Sequence, residues 1–201
     1  MEGALFYWFA WISWVWVTFL LSKKNFVRYG LSAYLLILMI STPYRISILG
    51  IEVFLSAFVL ITVFVVGTAK LNKRSFYSVF LSAFIMMLGY VCFLLFELFD
   101  PVWVLFDRKW MLALSALILC SFLQDRYLHR FYCLLSGMLC GEILFAIIME
   151  KLSFNYSVSS PAFMDMLAIT FMILALWSGF NYLMLITSNI INYGRGKQKS
   201  S

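Results

Sequence analysis

Apolar runs of bilayer-spanning length, each bounded by charges or a proline, recur along almost the whole chain and leave it one kind of fold. A helix rises about 1.5 Å per residue, so roughly 20 apolar residues in a row cross a hydrocarbon core about 30 Å thick. Seven such stretches can be marked: about 4–21, 26–42, 46–69, 76–96, 108–123, 131–148 and 163–191. Lys23 and Lys24 stop the first, Pro43 the second, and Lys70, Lys73 and Arg74 the third; Glu97, Asp100 and Pro101 follow the fourth. The fifth is the least regular, because Asp107, Arg108 and Lys109 precede a short apolar part at 110–123, and 101–106 is expected to lie along the interface.

Water is a poor solvent for such a chain. Hydrophobic residues make up 64% of it and charged residues 12%, whereas a soluble domain carries roughly 25% charge. There is too little polar surface to cover a globule. The expectation is therefore an all-α polytopic bundle of about seven transmembrane helices, a single domain over 1–194 followed by a basic tail at 195–201. The connections are short, so no soluble catalytic or ligand-binding domain is expected.

The basic residues give the bundle a direction. Lys23, Lys24, Arg28, Lys70, Lys73, Arg74, Arg126, Arg130, Arg195, Lys197 and Lys199 fall in one alternate set of connections, and only Arg45, Arg108, Lys109 and Lys151 in the other. Lys and Arg collect on the cytoplasmic side, which puts the N-terminus outside and the C-terminus in the cytoplasm. Glu2, Glu97, Asp100, Asp107, Glu150 and Asp165 lie on the Lys-poor side, against Asp125 alone on the other. Pro43, Pro101 and Pro161, the only prolines, fall in outside connections, as helix interiors require. Tyr7, Trp8, Trp11, Trp103 and Trp110 are expected near the outer interface, and the deeper Trp16 and Trp177 as packing residues.

The net charge of +6 comes in small clusters between apolar runs, not on a continuous face, which argues against a nucleic-acid partner. Cys92, Cys120, Cys133 and Cys140 lie within apolar runs without a C-x-x-C pair, and reduced core thiols are expected. The start, Met1-Glu2-Gly3, lacks the basic n-region and cleavage motif of a signal peptide.

Glu142 is the residue most in need of explanation, since a charged carboxylate at the middle of a span costs at least about 2.5 kcal/mol. One reading makes it a proton carrier or cation ligand; the other makes it a packing residue held by a polar neighbour. Beside it, Gly137 and Gly141 form a G-x-x-x-G spacing that lets another helix approach closely, with packing inside the chain favoured over dimerisation. The last run carries Ser178, Gly179, Asn181, Thr187, Ser188 and Asn189. Ser178 and Asn181 are one turn apart, and are expected either to hydrogen-bond across to the sixth helix or to line a small polar pocket with Glu142.

Weaker signals surround these. Arg45 and Glu52 are seven residues apart and share a helical face only if helix begins by Arg45. His129 has no cluster of metal ligands around it and suits lipid headgroups better. Glu97 and Asp100, one turn apart at the outer interface, are the acidic pair that an enzyme acting on lipid would need. No H-E-x-x-H, G-x-S-x-G or P-loop is present, and the last run has no lysine for a Schiff base, so the chain is expected not to be an enzyme and to use no cofactor.

The opening Met1-Glu2-Gly3 with Phe6, Tyr7 and Trp8, together with the length and pattern of spans, resembles the YphA-like membrane proteins of endospore-forming bacteria. That resemblance implies a bacterial plasma membrane and supplies no catalytic residues. The function expected is a non-enzymatic scaffold or subunit whose partners are membrane lipids and other membrane proteins. The alternative is a small transporter or channel-like protein built on Glu142 and the polar face of the last helix.

Overall fold

The computed structural model describes residues 2–21, 26–48, 50–100, 102 and 107–198. The boundary residues Lys23, Lys24 and Pro101, the interfacial Trp103, Lys199 of the tail and the side chain of Asn189 lie outside the described residues.

Among the described residues seven α-helices form: α1 (Ala4–Val15), α2 (Phe26–Ser41), α3 (Leu55–Thr68), α4 (Lys73–Phe99), α5 (Arg108–Leu123), α6 (Tyr127–Lys151) and α7 (Pro161–Gln198). A π-helical turn over Trp16–Leu20 continues α1. By length and composition α4, α6 and α7 as far as Ser188 can each cross a membrane, while Ala4–Leu20, Arg28–Ser41 and Leu55–Thr68 are shorter apolar helices. Local chemistry sets the starts. Asp107 caps α5 by accepting from Lys109 N at 2.9 Å, and Ser160 Oγ accepts from Phe163 N at 3.3 Å with Pro161 as the first helical residue of α7.

The architecture departs from all-α at one place. The stretch expected as the start of a third helix at 46 forms strands β1 (Arg45–Ile48) and β2 (Ile51–Phe54), joined across Gly50 at φ +87°. The residues explain it: Arg-Ile-Ser-Ile alternates polar with β-branched residues, Ile-Glu-Val-Phe is β-branched or aromatic apart from Glu52, and glycine supplies the left-handed turn. β3 (Ser157–Val158) adds in parallel to β2, pairing Glu52 with Ser157 and Val53 with Val158, for a sheet order β1-β2-β3. Helix begins only at Leu55, so α3 is 14 residues long, about 21 Å.

Helices consecutive in the chain run in opposite directions, so α4 and α6, and likewise α1, α5 and α7, run parallel to one another. At the end that bears the sheet, Gly3, Lys109 and Asp165 meet at the starts of α1, α5 and α7, and Ser56 at the start of α3 bonds to Ser159. At the opposite end, Gln124 closing α5 donates to Ser82 Oγ at 2.7 Å and Ser78 Oγ at 3.0 Å near the start of α4. There the Tyr132 ring of α6 packs directly on Gly67 of α3.

α6 is the centre, with α3, α4, α5 and α7 packed around it. The tightest seam joins it to α4, and the G-x-x-x-G spacing makes that seam. A Cβ on Gly137 would stand 2.5 Å from the Met86 side chain, and one on Gly141 2.7 Å from the Tyr90 ring, so both helices approach where no side chain stands between them. Met86, Tyr90 and Leu94 of α4 are buried there against Leu134, Met138 and Phe145 of α6.

The outward flank is apolar. Trp8 and Trp11 on α1, Phe80 and Phe84 on α4, and Phe122 on α5 are all exposed. Trp16 and Trp177, expected as packing residues, are 59% and 57% exposed and point away from the body. Of the four thiols expected in the core, Cys120 and Cys133 are buried but Cys92 and Cys140 are exposed, because they fall on the outer faces of α4 and α6. A flank like this in water would be a large aggregation-prone patch; facing acyl chains it is ordinary.

Replacing Gly137 with leucine is expected to cost about 1–3 kcal/mol through overpacking of the α4–α6 seam, read as a lowered melting midpoint in detergent or nanodiscs. Gly30→Leu, where nothing lies within 4 Å of an added Cβ, serves as the neutral control.

Candidate functional site

Glu142 sits on the buried side of α6 and is 0% exposed. Its Oε2 accepts two hydrogen bonds, from Tyr90 OH of α4 at 2.8 Å and from Tyr156 OH of the α6–β3 loop at 2.9 Å. Its Oε1 has no hydrogen-bond partner among the described residues. The glycine seam sets this geometry, since Gly141 makes room for the Tyr90 ring and so brings its hydroxyl to the neighbouring carboxyl. Both phenols are anchored edge-on, Tyr90 against Phe163 with centroids 6.5 Å apart and Tyr156 against Phe145 at 4.9 Å. Burial, and after it the Glu142 carboxyl, pushes the Tyr156 phenol well above its ordinary value, so it donates as a neutral hydroxyl. Two donors on one oxygen leave the other as the atom where a proton or a cation would sit.

A second buried acid, Asp165 of α7, is also 0% exposed. Its Oδ2 accepts from Gly3 N at 2.9 Å and from Lys109 Nζ at 2.7 Å, and its Oδ1 from Phe6 N at 2.9 Å. One carboxylate thus caps the free N–H groups at the start of α1 from across the bundle, faces the positive end of that helix, and pairs with a cation from α5. Gly3, at φ +88°, packs so closely on Pro161 that an added Cβ would lie 3.1 Å from the proline Cβ.

The structure does not bring Ser178 and Asn181 to Glu142. Asn181 Nδ2 donates to Tyr127 OH at 2.6 Å, at the first residue of α6, and Glu142 lies 15 residues further on, about 22 Å along the axis. Ser178 is half-buried and lines an apolar groove of about 700 Å³ bounded by α1, α2, α3, α6 and α7. Thr187 bonds back to Leu183 O.

The remaining acids have local work. Glu97 pairs with Arg108 at 3.1 Å, and Asp100 accepts from Val102 N at 3.1 Å. Arg45 and Glu52 do pair, at 3.5 Å, through the hairpin and not a helical face, in an exposed contact of small energetic weight. Among the described residues no three His, Cys, Asp or Glu side chains gather into a metal-binding group.

Sequence reading passed over Tyr90, Tyr156, Lys109 and the capping role of Asp165. A trace of Asp165 was there to find: an acid inside the last apolar run, on the same side as Lys109.

A helical body with an apolar flank, and with the two acids inside its apolar runs, Glu142 and Asp165, turned inward onto phenols, backbone N–H groups and one lysine, is built for lipid. It is an integral membrane protein. The chain belongs to the YphA-like integral membrane protein family, whose model matches residues 2–200. It is 24% identical over 159 residues to the uncharacterized protein YphA of Bacillus subtilis (strain 168), covering 76% of this chain and 75% of that one. No solved structure matches.

Asp165→Asn is expected to destabilise the fold by about 3 kcal/mol, because Lys109 is left beside a neutral side chain in a mostly buried setting. Combining it with Lys109→Met is expected to recover part of that loss in a double-mutant melting series; additive losses would mean the two side chains are not coupled.

Proposed function

We propose that the protein crosses the bacterial plasma membrane seven times, with its N-terminus outside and its tail in the cytoplasm, and serves as a non-enzymatic scaffold or subunit. The distribution of lysine and arginine supports the orientation, because the sheet-bearing end is the Lys-poor one and the opposite end holds Lys70, Lys73, Arg74, Arg126 and Arg130. In this orientation the sheet lies at the outer face.

The observation that carries the scaffold reading is the second half of α7. Beyond Leu174 one face of the helix still meets the body, through Ser178 on the groove and Asn181 bonded to Tyr127, while Trp177, Phe180, Tyr182, Leu183 and Met184 are all exposed. Gly179 lies in the same stretch and, like Gly30 on α2, has nothing within 4 Å of an added Cβ, whereas Gly67, Gly89, Gly137 and Gly141 each seat a neighbouring side chain. A span with large apolar side chains, an unfilled glycine seat and the polar Ser178 beside it has the make-up of a helix that packs on another helix. The proposed partner is another membrane protein.

A photo-crosslinking residue at Trp177 or Phe180 is expected to yield one reproducible protein adduct in native membranes, lost in Gly179→Leu. The same probe at Phe84 of α4 should yield lipid only. Lipid adducts alone at all three positions would sink the scaffold reading. A reporter fused after Ser201 is expected to be active only in the cytoplasm.

A second reading, a small transporter, draws on the unpartnered Oε1 of Glu142. It requires Glu142→Gln to abolish a proton-linked flux in vesicles; unchanged flux rules it out.

A further inference from the structure

An open cavity of about 430 Å³ lies between β2, the end of α6 and the loop that leads to β3. Glu52, Glu150, Ser153, Phe154, Asn155 and Tyr156 are among the residues that line it, and no lysine or arginine is. Glu150 stands in the last turn of α6, where the helix dipole is already negative; Lys151, the basic residue of that turn, does not line the cavity. Ser153 holds φ +61° in the same wall, a strained conformation for a residue with a side chain.

The buried acid does not line the cavity but stands next to it. Glu142, Ala146 and Glu150 follow at i, i+4 and i+8 on one face of α6; Ala146 and Glu150 line the cavity, and Glu142 lies one turn below. Tyr156 is common to both, lining the cavity and donating its hydroxyl to Glu142 Oε2. A fully buried carboxyl with an unpartnered oxygen therefore underlies a wall that already carries two carboxylates. Arg45 offsets only Glu52, through an exposed 3.5 Å contact.

We infer that this cavity binds a small organic ammonium ion, a primary alkylamine, with Glu150 as the main counter-charge, Glu52 second, and the rings of Tyr156 and Phe154 against the alkyl part. The volume suits a small molecule, well above what a bare metal ion fills, and aromatic walls beside carboxylates favour an organic cation. The inference does not depend on transport, because binding is read at equilibrium with no gradient.

The test uses the full chain in nanodiscs of zwitterionic lipid, titrated calorimetrically with n-butylammonium chloride. Potassium chloride at equal ionic strength and n-butanol, the uncharged counterpart, are the controls. Saturable one-to-one binding of butylammonium is expected, with neither control binding. Glu150→Gln is expected to weaken it at least about tenfold, or roughly 1.4 kcal/mol. Asn155→Trp, an exposed loop substitution that fills the cavity, is expected to remove it. Glu150 and Asn155 are both exposed, so these variants fold like the parent, which a melting curve checks. No saturable binding to the parent chain, equal binding of butanol, or unchanged affinity in Glu150→Gln would overturn the inference. A positive result with Glu142→Gln flux unchanged would keep the binding site and discard the transporter.

Discussion

The carboxylate of Asp165 holds together the end of the molecule on which the rest is hung. In lipid an unbonded N–H or an unpaired charge has no water to fall back on, so every polar group at bilayer depth needs a protein partner. Asp165 answers three such needs at once, taking Gly3 N, Phe6 N and Lys109 Nζ. The starts of α1, α5 and α7 are thereby gathered at one level. The glycine seam between α4 and α6 does the complementary work by shape, and through Gly141 and Tyr90 it also brings a donor to Glu142 Oε2.

Helix positions were largely legible in the sequence, because membrane solvation writes its demand as run length. α5 covers 108–123 as read, and α4, α6 and α7 extend by a turn or more beyond the apolar stretches that announced them. The hairpin was not read, since a search for run length takes Ile46 to Phe54 as apolar and overlooks the alternation of two in its first strand and the glycine at its bend. The close approach at Gly137 and Gly141 was legible within the chain, and the structure supplies the partner helix that sequence spacing cannot name.

The site itself was half legible. A carboxyl inside an apolar run marks Glu142, but its partners, Tyr90 and Tyr156, are 52 and 14 residues away, and no local pattern links them. Joining Glu142 to Asn181 overlooked direction. α6 runs toward the sheet and α7 away from it, so residues late in α7 stand beside the beginning of α6, as the Asn181 bond to Tyr127 records. Tyr90, which bonds to Glu142, also packs on Phe163, two residues before Asp165 on α7. The two buried acids therefore occupy neighbouring depths, one neutralised by a lysine and helix-end amides, the other held by phenols.

The bond between Gly3 and Asp165 spans 162 residues, nearly the length of the chain. Translation proceeds at about 5–20 residues per second, so the amides at the head of α1 wait roughly 10–30 seconds after synthesis for the carboxylate that closes them. Until then only headgroup water can serve them. The seating of α1 thus waits on α7, whose carboxylate closes the amides at the head of that helix.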